Sequence, residues 1–139
     1  MVDGTGADVG GWISLDLDSS DNPHLSYWDV TRGALRYARK VGGSWVVETA
    51  GVPVGTALHV NQALDASNNP HIVYYKAGGS NALTYAWKSG GVWTIEPIGG
   101  GATGLWWFGD ITVDVSANPH VVFRLGADGD LYYTRKAGG

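Results

Sequence analysis

The chain has 139 residues, enough for one ordinary domain, with 16% charged residues and a formal net charge of −4. That balance offers no basic field to nucleic acid or to an anionic membrane, so neither is expected as a partner. The absence of cysteine excludes disulfides and thiolate-bound metal, and no apolar run approaches the roughly 18 residues of a membrane span.

In chain order, a glycine-rich lead-in (Asp3 to Gly11) precedes an alternating run, Trp12 to Asp18, with Ile13, Leu15 and Leu17 on one face. Period-2 alternation predicts a strand. The segment Asp18-Ser19-Ser20-Asp21-Asn22-Pro23-His24 then predicts a turn, since Asp and Asn side chains accept backbone N–H bonds and proline presets φ. Further strands are predicted at His24–Trp28, Leu35–Arg39 and, past Gly42-Gly43, at Trp45–Thr49. The order repeats at His59–Leu64, His71–Tyr75, Leu83–Trp87 and Trp93–Glu96, then at Phe108–Val113, His120–Arg124 and Leu131–Arg135. Twenty-two glycines with seven Trp and seven Tyr suit short pleated strands joined by tight turns.

The turn recurs as Asp65 to His71 and Asp114 to His120, placing its histidines at 24, 71 and 120, intervals of 47 and 49. Four strands at a period of 40 to 50 residues predict β-propeller blades. The expected fold is all-β: three antiparallel four-stranded blades, at about 9–50, 56–98 and 105–139, the last lacking its outer strand. The pattern Asp-x-Ser-x-Asn-Pro-His, then Leu-x-Tyr-(Ala/Thr)-x-Lys, then Gly-Gly-x-Trp-x-x-Glu resembles bacterial β-propeller repeats. It is similar in layout to sialidase-like and lectin-like propellers. The sialidase Asp-box, Ser-x-Asp-x-Gly-x-Thr-Trp, is absent.

Closed propellers typically need four to eight blades, so three blades leave two blade faces bare. Gly139 falls where Gly43 falls in the first repeat, so the third blade is expected to stop before its fourth strand. Two copies closing a six-bladed ring is the expected assembly, dimers being the commonest closed oligomers. Three copies closing nine blades is the alternative, as is a natural or engineered piece of a longer propeller.

The turns keep Asn-Pro-His and Gly-Gly on one face of the disc, whereas the loops of the opposite face vary. Variation suggests the face where a ligand is read. Trp28, Arg32, His59, Trp106 and Trp107 are the candidate ligand residues there. Weaker candidates lie between blades: Arg39, Glu48, Trp87, Glu96 and Arg135. The resemblance to lectin propellers implies that such residues bind sugar, the aromatic stacking on its apolar face and the charged groups holding hydroxyls. His24, His71 and His120 are expected to bond their turns rather than bind metal, and Asp18, Asp65 and Asp114 to cap the turns. Asp16 and Asp110 have no carboxylate counterpart at Ala63, which counts against a catalytic carboxylate in every blade. No catalytic residue, metal site or cofactor is expected. The function predicted is a non-catalytic, self-assembling binding module for glycans. A structural or protein-interaction propeller fragment is the second reading and a glycosidase-like propeller the third.

Overall fold

In a computed structural model the described residues are 1–4, 8–51, 55–78, 82–99, 107–124 and 129–136. They form eleven strands: β1 (Val9–Leu17), β2 (Pro23–Asp29), β3 (Ala34–Val41), β4 (Ser44–Gly51), β5 (Thr56–Leu64), β6 (Pro70–Ala77), β7 (Ala82–Ser89), β8 (Val92–Gly99), β9 (Trp107–Val113), β10 (Pro119–Arg124) and β11 (Leu131–Arg135). These make three antiparallel sheets in simple meander order, β1 to β4, β5 to β8 and β9 to β11. Each predicted strand is present. Some run longer, because each Asn-Pro turn lets its proline open the next strand, Pro23 pairing with Leu17 and Pro70 with Leu64. Proline fits there because the first residue of a strand need not donate to the ladder.

Alternation decides how the sheets stack. In β6, Ile72 and Tyr74 project one way and Val73 and Tyr75 the other, and all four are buried. The first pair packs with Trp28, Leu35 and Tyr37 of the first sheet. The second pair, with Leu83 and Tyr85, meets Ile111, Val121 and Phe123 of the third. A strand buried on both faces reads as a continuous apolar run, as His-Ile-Val-Tyr-Tyr does.

The leading strands of the sheets, β1, β5 and β9, are neighbours. Polar bridges fix their spacing. The Leu64 amide donates to Asp16 Oδ2 (3.0 Å), the Gln62 amide to Ser14 Oγ (3.1 Å), and Asn61 Nδ2 to the Gly109 carbonyl (2.5 Å). Asp16 is therefore a structural acceptor between sheets.

At the two ends of the stack, described residues expose apolar side chains at positions that are buried between sheets. Leu131 is 80% exposed, where its counterparts Leu35 and Leu83 are at 0% and 4%. Tyr133 and Val122 are exposed beside it, and Ile13, Leu15 and Leu17 are exposed at the other end.

Each Asn-Pro turn holds one residue in the left-handed region: Asp21 (φ 59°), Asn68 (φ 62°) and Ala117 (φ 60°). Asn and Asp are enriched there, and alanine is not. Ala117→Asn is expected to stabilise the chain by about 0.5–1 kcal/mol, the scale of relieving one left-handed alanine. The urea midpoint reads it directly, and a lower midpoint for the variant contradicts this account of the turn.

Candidate functional site

The repeated turn is built around one carboxylate. Asp18 Oδ1 accepts the amides of Ser20 and Asn22, both at 2.8 Å, and its oxygens also receive Asn22 Nδ2. Asp65 and Asp114 repeat the pattern with Ser67 and Asn69, and with Ser116 and Asn118. The backbone and side-chain bonds from Asn22 hold the Asp18 carboxyl down at about 2. Burial alone would raise Asp65, but its bonds from Asn69 and Ser67 outweigh this and leave it lowered. Asp114 is held low chiefly by the Asn118 side chain and amide.

The histidine that follows each turn is clamped between that carboxylate and a tyrosine. His24 Nε2 faces Asp18 Oδ2 at 3.5 Å, and its Nδ1 lies 2.5 Å from Tyr37 Oη. His71 relates in the same way to Asp65 (3.6 Å) and Tyr85 (2.5 Å), and His120 to Asp114 (3.3 Å) and Tyr133 (2.8 Å). A proton on Nε2 satisfies both partners, because Nδ1 then accepts from the phenol. Burial lowers the pKa of His24 and His71 and raises that of Tyr37 and Tyr85, so all four rest neutral. Each histidine is thereby committed to its own repeat.

These clamps form the floor of clefts between successive sheets, on the side of the Asn-Pro turns. The first cleft, about 480 Å³, lies between the first and second sheets. Asp18, His24, Tyr37, Arg39 and Lys40 line it from one side and Asn68 and Lys88 from the other. Arg39 and Lys40 make no ion pair among the described residues. The second cleft, between the second and third sheets, repeats the lining with Asp65, His71, Tyr85, Trp87 and Lys136 but holds only about 140 Å³. Trp87 stands where Arg39 stands, and Lys136 Nζ lies 4.1 Å from the centre of its ring, a cation–π contact that fills the space.

Glutamates of the outer strands β4 and β8 close the clefts by pairing with lysines at the third strands of the following sheets. Lys88 Nζ is 2.5 Å from Glu48 Oε1, and Lys136 Nζ is 2.6 Å from Glu96 Oε1. Each pair spans two sheets. Arg135 instead turns onto Asp114 of its own sheet, at 3.1 Å.

The variable face places its candidates differently. Trp28 is only 3% exposed and belongs to the core between the first two sheets, so it offers no ring to a ligand. This corrects its reading as a ligand residue: alternation in β2 turns it toward the second sheet. Arg32 bonds Asp29, 2.8 Å away. His59 packs against Trp12 with centroids 4.3 Å apart and ring planes tilted by 52°, both in the left-handed region at matching bulges of β5 and β1. Trp106 lies outside the described residues, and Trp107 contributes backbone to β9. The described residues thus bring Trp12 and His59 together, while Trp28 belongs to a separate core. The residues that sequence reasoning passed over are Lys40, Lys88 and Lys136 together with Tyr37 and Tyr85. Their signal was present in the repeated Leu-x-Tyr-x-x-Lys, which looks like a mark of the fold alone.

No family model matches the chain, and no curated protein matches it. Among solved structures it is similar to a fucose lectin from Kordia zhangzhouensis, solved in complex with methyl-fucoside. The similarity covers 91% of this chain and 93% of that one, with a TM-score of 0.57 and 18% sequence identity. At that identity it shows a shared all-β fold.

The clamps make stability depend on pH with a definite sign. Below about 6.5 the unfolded histidines take up protons that folded His24 and His71 refuse, and below about 4 the same holds for the turn aspartates. The urea midpoint is therefore expected to fall on acidification from pH 7, first through the histidine range and again below pH 4. The double variant His24→Gln, His71→Gln shrinks the first stage to the share of His59, whose pKa burial also lowers, and leaves the second. A midpoint that rises between pH 7 and pH 5 contradicts the assignment.

Proposed function

We propose that the three sheets are consecutive blades of a β-propeller that closes by association with further copies, and that the assembly is a non-catalytic, lectin-like glycan-binding module. The observation that carries the reading is the first cleft. It is open and polar, and it presents Arg39 and Lys40 beside Asn68 over a rigid floor of His24 and Tyr37. Fixed donors of this kind suit sugar hydroxyls, and a preformed site loses little entropy on binding. The fold shared with a fucose lectin supports the reading.

On this reading the ligand binds on the turn side, between blades, rather than on the variable loops. Arg39, Glu48, Trp87, Glu96 and Arg135 then take separate roles. Arg39 binds, Glu48 and Glu96 hold the lysines at the rim, Trp87 fills the second cleft, and Arg135 prepares a further one. Weak sites repeated around a ring gain strength through multivalency.

A glycan array followed by titration of the best ligand, with methyl-fucoside included in the panel, tests the proposal. Arg39→Ala is expected to weaken binding about tenfold or more, the loss of one charge-assisted hydrogen bond of about 1.5–3 kcal/mol. Its circular dichroism should match the parent's. An array without binders, or binding indifferent to Arg39→Ala, overturns the reading.

A further inference from the structure

We infer that a third cleft is assembled from two copies of the chain, with residues 1–4 of one copy completing the last sheet of the other. This rests on the propeller reading above.

Three observations point to the same junction. First, β11 pairs with β10 on one edge, and no strand occupies its other edge among the described residues. That is the edge that β4 and β8 occupy on β3 and β7. Such an edge is a template for an added strand.

Second, residues 1–4 already lie where such a strand would end. The 47-residue interval relates Val2, Asp3 and Gly4 to Thr49, Ala50 and Gly51, the end of β4. The correspondence is structural as well. Ala50 belongs to the same buried cluster as Tyr74 of the following sheet, and Asp3 Oδ2 accepts the hydroxyl of Tyr27, the counterpart of Tyr74, at 2.8 Å. Residues 1–4 thus cover the first sheet as the tail of a preceding outer strand would. Leu35 pairs with Gly51 and Arg36 with Thr49, so the junction pairs Leu131 with Gly4 and Tyr132 with Val2 of the second copy.

Third, the two exposed end faces are the two halves of the contact that the chain makes internally. Leu131, Tyr133 and Val122 stand for Leu83, Tyr85 and Val73, and Ile13 and Leu15 stand for Val60 and Gln62. All five of those counterparts are buried. The contact is heterologous, and a ring closes if the rotation returns on itself.

The consequence is a site that neither copy holds alone. Asp114, His120, Tyr133 and Arg135 form one wall, with the clamp geometry of the first cleft. The facing wall, counterpart of Asn68 and Lys88, is Asp21 and Lys40 of the second copy. An arginine stands at the position of Arg39, not a tryptophan; it is held 3.1 Å from Asp114 in its own wall, so this cleft lacks the aromatic filling of the second and offers polar groups to the same hydroxyl-rich ligand class.

The chain has no cysteine, so an engineered pair reports the junction cleanly. Val2→Cys with Tyr132→Cys is expected to give disulfide-linked chains on a non-reducing gel, while each single variant stays unlinked. Glutaraldehyde treatment of the parent chain separates the failures. Linked chains there without a disulfide product overturn this junction and leave self-association standing. Single chains in both overturn the assembly reading itself. Glycan binding is read independently, so loss of the junction does not count as loss of the ligand.

Discussion

Everything in this structure depends on one contact, the burial of one sheet's face against the next. β-sheets with apolar residues on both faces cannot stand alone in water, and the second sheet is stable because Ile72 and Tyr74 find Leu35 and Tyr37 on one side while Val73 and Tyr75 find Val121 and Phe123 on the other. Burying a large apolar side chain contributes about 1.5–3 kcal/mol, so a face of several such residues outweighs any surface ion pair in the molecule. The same requirement extends to the end faces. Ile13, Leu15, Leu131 and Tyr133 hold positions that are core elsewhere, yet they meet solvent. Contiguous apolar faces of this sort mark interaction surfaces.

The contact also creates the clefts. Two sheets packed through their apolar centres separate toward the rim, where the Asn-Pro turns and the paired lysines stand. The floor is rigid because each histidine is held from both sides, and the rim is held by Lys88–Glu48 and Lys136–Glu96. Partly buried pairs such as these are screened less than fully exposed ones. The contrast between the two clefts comes from one position. An arginine at 39 leaves space and unneutralised charge, whereas the tryptophan at 87 accepts a lysine on its face and fills the gap.

The strands were legible in the sequence because period-2 alternation and a turn of three near-identical copies need no tertiary information. The meander order followed from the short connections. The site was only half legible. Trp28 looked accessible because it ends a strand beside a variable loop, but alternation in β2 turns it into the core. The repeated lysine looked like scaffold because repetition suggests structure. Its role emerges only when sheets stack, since Lys88 meets Glu48 forty residues away in a neighbouring sheet. Contacts between sheets carry no local pattern, whereas contacts within a sheet do.

The central claim is that the uncovered faces at the two ends of the stack are covered by another copy of the same chain. Light scattering of the purified protein at neutral pH tests it most directly. The account predicts the mass of two chains, or of three for a nine-bladed closure, against 14.7 kDa for one. A mass of one chain across the concentration range would contradict it.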